Sequence, residues 1–396
     1  MEEMHIAHVT ATFPPYLGGT GNVCFSQARE LARRGHAVHV FTVALPGSRA
    51  DESCDGVRIH RLRSVGRVGN VSVLPGLFLR LRGFDIIHLH SPFIVGAEMT
   101  SLSAALSRAP LVVTYHNDLI NSGSWRDVVF RLATWSLRYL VLYRANRVLF
   151  VSQGHAETNN QRQVRYWRQA NSRILVNGVD VHVFRPAGDQ LNVRARLGLP
   201  ADMPVIGFVS SLDRAHHYKG LDVLLRALVR PELSHARLLA VGEGELKEGY
   251  RQQAAALGLS ERVLFHGGVP QSDLPPLLRA CDVITIPSLV PEALPLTLLE
   301  SMACGIPVIA SDGPGVRSVL CDGEDGLLAK PGDATDLAEK IQMLLDDPQR
   351  RREIGARGLA KVEASYSWEQ SVARLEAIYH EVLDSTGVRN TQWKSV

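Results

Sequence analysis

The stretch Val283–Ala310 has the sequence VITIPSLVPEALPLTLLESMACGIPVIA, in which two apolar runs flank a loop and a longer segment. The runs Val283–Ile286 and Val308–Ala310 are short and rich in β-branched residues, which predicts buried strands. Pro295 is predicted to be the first residue of a helix, because its fixed φ angle suits that position. A strand, a helix and a second strand in this order are typical of a parallel sheet covered by helices.

The same alternation of short apolar runs and helical patterns occurs along the whole chain. The other predicted strands are Met4–Ala11, Val38–Val43, Val57–Leu62, Asp85–His90, Leu111–His116 and Val148–Val151 before the polar stretch Ala187–Asn192, and Val205–Val209, Leu238–Val241 and Val263–His266 after it. We therefore predict an α/β protein with two domains, over residues 1–185 and 186–366. A helix over residues 367–386 is expected to pack back on the first domain, and residues 387–396 are expected to form a tail.

The composition is that of a globular enzyme. The chain has 396 residues, of which 45% are apolar and 21% are charged. No apolar run approaches the roughly 20 residues of a membrane-spanning helix, and the first residues are acidic where a signal peptide is basic. We therefore expect a cytoplasmic protein. The five cysteines form no C-x-x-C pair, which favours neither a structural zinc site nor a redox dithiol.

The net charge is positive in the N-terminal half and negative in the remainder of the chain. Residues 1–185 contain 21 Arg, no Lys and 12 acidic residues, whereas the remaining residues contain 22 basic and 28 acidic residues. This excess favours an anionic partner, although a solvated basic face would explain it equally well. The Arg residues are dispersed without aromatic interleaving, so the pattern does not favour nucleic acid.

A glycine-rich loop follows the first predicted strand, and a helical pattern begins near Val23. Gly18 and Gly19 lie in this loop, where glycines let backbone amides approach an anion at a helix end. Cys24 stands where a dinucleotide fingerprint needs Gly or Ala, and the second strand ends without an acid, so NAD binding is disfavoured. A tight turn without a ligand remains the alternative.

Other polar side chains also follow predicted strands. His116 is followed by Asn117 and Asp118 at the end of one strand, where the alternative to a site is a structural histidine. Arg214 and Lys219 follow another strand and could hold a diphosphate, unless they belong to a solvated basic loop.

Two carboxylates flank the predicted start of the helix at Pro295. Glu292 lies in the loop before it, and Glu300 lies on the second turn. Carboxylates placed in this way can bind hydroxyl groups on both sides of a phosphate held at the helix end. The alternatives are a loop acid and an ion pair on the helix surface.

Together these segments resemble glycosyltransferase family 4. The resemblance spans nearly the whole chain, and the spacing of Glu292 and Glu300 is its most specific element. It implies the glycosyltransferase-B fold, in which two Rossmann-like domains face each other across a cleft. The matching segments, in chain order, are Pro14–Gly19, Thr114–Asp118, Val151–Ser152, Val176–Asp180, Lys219–Gly220, Val241–Gly244, Gly267 and Pro307–Val308.

The resemblance also implies roles for individual residues. Glu300 would hold the ribose hydroxyls of a nucleotide-sugar donor, Glu292 would contact the donor sugar, and the helix end at Leu296 and Thr297 would receive the diphosphate. Lys219 would neutralise the leaving group. The further implied contacts are His116 with the transferred sugar, Gly18 and Gly19 with the diphosphate or the acceptor, and Glu243 and Gly267 with the base.

Three positions depart from the family pattern. Ser210–Ser211 stands where the family often has Gly and Arg, so Arg214 becomes the candidate for the second phosphate-binding cation. Leu294–Pro295 replaces a usual Phe-Gly, and Pro295 offers no amide to a phosphate. Ser318 replaces a common Glu.

The implied reaction is retaining transfer of a hexose-type sugar from a UDP- or GDP-linked donor. The acceptor would be a hydroxyl of a carbohydrate, a glycolipid or a natural product. No cofactor or metal is required, because the helix end, Arg and Lys supply positive charge. The alternatives are a sugar-nucleotide epimerase and a non-catalytic sugar-nucleotide-binding protein.

A segment of the N-terminal half allows peripheral membrane contact. Over Trp125–Tyr143, aromatic and aliphatic residues share one helical face, and Arg126, Arg131 and Arg138 lie opposite. The pattern fits a helix that packs on the sheet, and less well a helix that lies on anionic lipid at the inner face of a membrane.

Overall fold

The computed structural model describes residues 2–15, 18–65, 67–68, 71–117, 141–157 and 169–387. The chain forms two compact units. The first consists of Met1–Asn177 and Trp368–Val396, and the second of Gly178–Ser367. In sequence the units therefore divide at Asn177, whereas the predicted domains divide at residue 185.

An eight-stranded sheet forms the centre of the first unit. Its strand order is β10-β9-β8-β7-β1-β2-β4-β3, and all neighbours pair parallel except β3 and β4. The strands of this unit, including a separate pair β5–β6, are β1 (His5–Val9), β2 (Ala37–Val43), β3 (Asp51–Cys54), β4 (Val57–Leu62), β5 (Arg67–Val68), β6 (Val71–Ser72), β7 (Ile86–Ser91), β8 (Leu111–Tyr115), β9 (Arg147–Phe150) and β10 (Ser172–Ile174).

Helices cover this sheet. They are α1 (Gly19–Arg33), α2 (Leu77–Arg80), α3 (Gly96–Ser107), α4 (Gln153–Glu157) and, from the end of the chain, α13 (Trp368–Thr386). Helix α1 begins at Gly19, so the expectation that it begins near Val23 is wrong. Glycine has a low helix propensity, but Gly21 lies where a Cβ atom would come within 2.8 Å of the Thr12 carbonyl oxygen. Close packing against Thr12 thus requires glycine in the first turn of α1, although glycine in a sequence usually indicates a loop.

Helix α13 is tied to the first unit by buried polar contacts. Tyr379 is fully buried, and its hydroxyl lies 2.5 Å from His88 Nδ1 on β7. The carboxylate of Glu376 lies 2.9 Å from His36 Nε2 and accepts a hydrogen bond of 3.2 Å from Arg34. Hydrogen bonds to buried charged groups stabilise more than neutral ones, so these contacts fix how the helix packs on the unit.

A six-stranded parallel sheet forms the centre of the second unit. Its order is β13-β12-β11-β14-β15-β16. The strands are β11 (Val205–Val209), β12 (Arg237–Val241), β13 (Val263–Gly267), β14 (Val283–Ile286), β15 (Val308–Ser311) and β16 (Leu327–Ala329). Because the strand order reverses between β11 and β14, a ligand is expected at the carboxyl ends of these two neighbours.

Helices also pack against the sheet of the second unit. They are α5 (Gln190–Arg196), α6 (Leu221–Leu228), α7 (Lys247–Ala256), α8 (Leu274–Arg279), α9 (Leu296–Ala303), α10 (Pro314–Arg317), α11 (Ala334–Asp346) and α12 (Pro348–Ser365). Helix α6 shows why they form: Leu221, Leu224, Leu225 and Leu228 recur at helical spacing and are all fully buried in the core.

Within the described ranges, no helix is both long enough and apolar enough to cross a membrane. The amphipathic segment Trp125–Tyr143 lies outside the described residues except for its last three positions, of which Tyr143 is exposed.

Candidate functional site

Lys219 and Glu292 meet at the point in the second unit where the strand order reverses. Lys219 ends the 3₁₀ turn Arg214–Lys219 that follows β11, and Glu292 lies in the loop after β14. The Lys219 ammonium donates a hydrogen bond to Glu292 Oε2, and the Ser288 hydroxyl donates one to Oε1. The strand-end loops therefore bring a cation, a carboxylate and a hydroxyl into direct contact.

Gly220 explains how Lys219 is brought so close to the β14 loop. Its φ angle is +75°, a conformation that favours glycine, and a Cβ atom there would come within 2.0 Å of the Pro287 carbonyl oxygen. A side chain at this position would push the loop of Lys219 away from the loop of Glu292. Glycine therefore follows Lys219 because a larger residue would not fit against the β14 loop.

The charge of Lys219 is maintained by its surroundings. Burial lowers the pKa of this ammonium group, but the attraction of Glu292 and of Tyr218 outweighs burial, so the pKa lies above its usual value. Lys219 is therefore a cation over the whole physiological pH range. A cation held in a partly buried position can interact strongly with an anionic ligand, because water screens it poorly.

The amino end of helix α9 is a candidate anion-binding position. Pro295 is the N-cap with an extended ψ of 124°, and the helix begins at Leu296, so the expectation that Pro295 is the first helical residue is wrong by one position. No side chain caps this end, and no acidic residue lies in its first turn. The backbone N–H groups of Leu296 and Thr297 lie in the first turn, where an N–H group has no acceptor within the helix. Such groups carry partial positive charge.

Glu300 lies on the second turn of α9 with only 5% of its surface exposed. Gln271, from the short turn after β13, donates a hydrogen bond of 2.7 Å to Glu300 Oε1. Burial raises the pKa of the Glu300 carboxyl to about 7, and the Gln271 hydrogen bond opposes this rise. Glu300 is thus no ion-pair partner on a helix surface, and its carboxyl titrates near neutrality.

Glycines pack the ends of β11 and β12 closely together. A Cβ atom at Gly242 would come within 1.8 Å of the Ser210 carbonyl oxygen, and one at Gly244 within 2.2 Å of the Leu212 carbonyl carbon. Glu243 between them is mostly exposed and pairs with Lys247 at 2.7 Å. Gly267, at the end of β13, has a φ of +99° and lies beside this pair. These residues line one side of the strand ends.

Arg214 does not join the other predicted donor-binding residues. Its side chain is 85% exposed and pairs with Glu245 at 3.3 Å. No sequence pattern distinguishes the two roles at this position, because an arginine in a loop suits a ligand contact and a surface ion pair equally.

A small concavity lies beside Glu292, with Ser288, Ser311 and Asp312 among its lining residues. Helix α10 borders it closely, because a Cβ atom at Gly315 would come within 2.1 Å of the Glu292 carbonyl oxygen. Arg317 on α10 pairs with Asp312 at the surface. The positive charge of Arg317, which precedes Ser318, is therefore neutralised by the carboxylate of Asp312.

In the first unit, His116 follows β8 and is buried. Its Nε2 lies 3.0 Å from His90 Nδ1 on β7. Burial lowers the pKa of His116 to about 3, so the ring is neutral at physiological pH. Gly18 is the N-cap of α1 and Gly19 its first residue, with no side-chain cap. Tyr16, Leu17 and Asp118 lie outside the described residues.

The site residues therefore fall into two groups, one in each unit. Lys219, Glu292, Leu296, Thr297 and Glu300 gather at the strand ends of the second unit. Sequence reasoning missed Ser288, Gln271 and His90, which contact Glu292, Glu300 and His116 respectively. Ser288 stands two residues after the end of a predicted strand, which could have identified it, but no local pattern indicates Gln271.

Comparisons with known protein families match both halves of the chain. The family described as "Glycosyltransferase Family 4" matches residues 17–183, and the family described as "Glycosyl transferases group 1" matches residues 189–361. Among curated relatives, the D-inositol 3-phosphate glycosyltransferase of Stackebrandtia nassauensis is 30% identical, over 98% of this chain and 92% of its own. D-inositol 3-phosphate glycosyltransferase 1 of Catenulispora acidiphila is 29% identical over 93% of this chain and 91% of its own.

Solved structures have the same fold. Sucrose-phosphate synthase from Thermosynechococcus elongatus superposes with a TM-score of 0.78 at 25% identity, covering 97% of this chain and 100% of its own. HepE of Anabaena, crystallised with UDP and glucose, superposes with a TM-score of 0.77 at 22% identity, covering the same shares of both chains.

Proposed function

This chain belongs to the group 1 glycosyltransferases and has the glycosyltransferase-B fold, and from that premise we propose that it transfers a hexose-type sugar from a UDP- or GDP-linked donor to a hydroxyl group, with retention of configuration. The acceptor is a carbohydrate, a glycolipid or a natural product. The observation that carries the proposal is the arrangement of Lys219, the uncapped start of α9 and the buried Glu300 at the strand ends of the second unit.

Different residues bind the diphosphate, the ribose and the base of the donor. The diphosphate binds the N–H groups of Leu296 and Thr297, which offer hydrogen bonds and partial positive charge. The ribose hydroxyls donate to the Glu300 carboxylate, which therefore must be ionised when the donor binds. Glu243 and Gly267 border the base. Relatives of known structure bind nucleotides of this class, since HepE of Anabaena was crystallised with UDP-glucose.

Catalysis consists mainly of stabilising the leaving group. The bond between the anomeric carbon and the diphosphate oxygen breaks, its electrons remain on the diphosphate, and the acceptor oxygen bonds to the carbon from the same side. The acceptor proton passes to the diphosphate. Lys219 and the start of α9 stabilise the negative charge that develops there. Glu292 and His116 contact the transferred sugar.

The proposed site requires no metal. Lys219 and the helix end supply positive charge where the diphosphate leaves, and Arg214 supplies more if its loop moves away from Glu245. The diphosphate must compete with Glu292 for Lys219, so donor binding rearranges an existing ion pair.

An anionic acceptor or a bilayer surface suits the N-terminal half, because positions 1–185 contain 21 Arg residues and only 12 acidic residues. We propose that the protein is cytoplasmic and that its basic N-terminal half allows peripheral contact with the inner face of a membrane. Sedimentation with anionic vesicles at low and high salt tests this placement: binding at low salt supports it, and no binding at low salt contradicts it.

Nucleotide binding is the first test of the site. Calorimetry with UDP, GDP and the corresponding sugar nucleotides should identify a ligand for the native protein, and Glu300→Ala should weaken its binding at least about tenfold, equal to 1.4 kcal/mol. Glu248→Ala is the control, since this carboxylate is exposed on α7. Equal affinity of the native protein and Glu300→Ala would refute the assigned donor site.

Product analysis tests the reaction. The donor that binds is incubated alone and with candidate acceptors, with and without EDTA, and NMR gives the anomeric configuration of each product. Transfer with retention in the presence of EDTA is expected. An epimerised sugar nucleotide from donor alone would favour the epimerase, and binding without turnover of any acceptor would favour a non-catalytic protein.

A further inference from the structure

A row of imidazole rings runs behind His116 inside the first unit. His8 Nδ1 lies 2.9 Å from His90 Nε2, and His90 Nδ1 lies 3.0 Å from His116 Nε2. His8 lies on β1 and His90 on the neighbouring strand β7, and all three side chains are buried. Both distances are those of hydrogen bonds, so each contact needs one proton between its two nitrogens.

The three rings are neutral. Burial lowers the pKa of His8 and of His116 to about 3, and it lowers the pKa of His90 well below its usual value. A neutral imidazole carries one N–H and one bare nitrogen. Because two contacts connect three rings in series, the protons can occupy only two concerted arrangements.

In the first arrangement, His8 Nδ1–H donates to His90, and His90 Nδ1–H donates to His116 Nε2. His8 Nε2 is then bare, and His116 presents an N–H at Nδ1. In the second arrangement both hydrogen bonds reverse, so that His8 Nε2 carries a proton and His116 Nδ1 is bare. The free atom of His116 is thus a donor in one case and an acceptor in the other.

The surroundings of His8 favour the first arrangement. Its Nε2 is buried and has no hydrogen-bond partner among the residues that the structure describes. A buried N–H without an acceptor is rarer in proteins than a buried acceptor that lacks a donor. His8 Nε2 is therefore bare, and the proton lies on Nδ1.

We propose that His8 and His90 are positioning residues that fix the tautomer of His116, so that His116 presents an Nδ1–H donor to the transferred sugar. This inference rests on the proposed contact between His116 and the sugar. His90 acts as the second partner that orients a functional imidazole and decides which of its nitrogens carries the proton. His8 sets the direction of the row from its buried end.

A metal ion is the competing explanation for this cluster. One potential ligand atom each from His8, Cys24 and His90 lies within 4.8 Å of the others. A closed zinc site uses four ligands at 2.0–2.3 Å from the ion, whereas this cluster supplies three. Both nitrogens of His90 already lie at hydrogen-bond distance from imidazoles. The hydrogen-bonded row therefore explains the geometry better.

Nitrogen NMR on the native protein tests the tautomer without any activity assay. With ¹⁵N-histidine labelling and assignment by loss of signal in His116→Asn, we expect His116 to be protonated at Nδ1 and bare at Nε2. The opposite tautomer, or a charged ring at pH 7, would overturn the inference. Zinc at one equivalent in the purified protein would also overturn it, because a metal would replace the protons of the row.

Kinetics test the role of His90. His90→Leu should lower kcat about 10- to 100-fold with little change in donor KM, and His90→Asn, whose amide can still donate to His116, should recover most of this loss. His36→Asn is the control, because His36 is also buried in the first unit but contacts Glu376 and the Met4 amide. An equal loss of kcat in His36→Asn would contradict the inference. If His116→Ala itself keeps full activity, the proposed sugar contact fails instead.

Discussion

Gln271 Nε2 donates a hydrogen bond of 2.7 Å to Glu300 Oε1, which connects the turn after β13 to helix α9. This bond occupies one oxygen of a carboxyl group that is otherwise buried in the second unit. It fixes the orientation of the carboxyl group before any ligand binds. A preoriented acceptor loses less entropy when ligand hydroxyls bind to it.

Replacing Glu300 by Gln should change how stability depends on pH. The pKa of Glu300 is about 7 in the folded protein, above the ordinary value of 4.5, so the folded state binds the proton more tightly. The stability that this group contributes is therefore complete below about pH 4.5 and is lost as pH rises through about 7. We expect the free energy of unfolding of the native protein to fall, relative to Glu300→Gln, by about 3 kcal/mol between pH 4 and pH 8.

Urea unfolding of both proteins across this pH range measures the difference. Glu300→Gln is a suitable reference, since its amide oxygen can still accept from Gln271 and does not titrate. A difference that stays constant with pH would show that the buried carboxyl group has an ordinary pKa.

Gly220→Ala should destabilise the second unit more than Gly258→Ala. Both glycines have positive φ angles, +75° and +73°, so both substitutions incur the same backbone strain of about 1–2 kcal/mol. Only at Gly220 would the new Cβ atom also meet a backbone oxygen, that of Pro287 at 2.0 Å. We expect Gly220→Ala to cost about 2 kcal/mol more, measured by urea unfolding. Equal losses would mean that the loops are not held closely together.

Lys219 and Glu292 should show strong energetic coupling. Lys219→Met leaves a carboxylate with 8% exposure without its cation, which should reduce the free energy of unfolding by about 3 kcal/mol. The double variant Lys219→Met, Glu292→Gln should be more stable than the sum of the single losses implies, by about 1–3 kcal/mol. A double-mutant cycle from chemical unfolding measures this coupling, and simple additivity would contradict it.

Arg214→Ala should separate stability from donor binding. Its side chain is 85% exposed, so the free energy of unfolding should change by less than about 0.5 kcal/mol. Donor affinity should fall about tenfold if Arg214 neutralises the diphosphate. Arg226→Ala is the control, because Arg226 also forms an exposed ion pair on the second unit, with Asp222. Unchanged donor affinity in Arg214→Ala would remove this arginine from the site.

The sequence predicted most strands, and physical reasons explain the ones it missed. Strand β3 covers Asp51–Cys54, a polar and mostly exposed edge that pairs antiparallel with β4, so it lacks the buried apolar run that indicates a central strand. Strands β10 and β16 have three residues each, which is too short for a periodic pattern. Strand β7 was predicted even though histidines interrupt its apolar run, and all of its residues are buried.

The sequence predicted those site residues that lie just after a strand or on the helix that follows it. Glu292, Glu300 and Lys219 follow strands or lie on the helix after them, and the structure places Lys219 against Glu292. Gln271 and His90 could not be predicted as partners, because their contacts cross between elements that lie 29 and 26 residues apart in the chain. Such contacts depend on sheet order and side-chain direction, which local patterns do not contain.

Helix α13 belongs to the first unit but follows the second in sequence. During synthesis, Tyr379 can therefore reach His88 only after Gly178–Ser367 has left the ribosome, which takes roughly 10 to 40 seconds. Until then His88 Nδ1 lacks the phenolic hydroxyl group of Tyr379, which it contacts in the finished protein. The earliest part of the chain to emerge is thus the last to complete its fold.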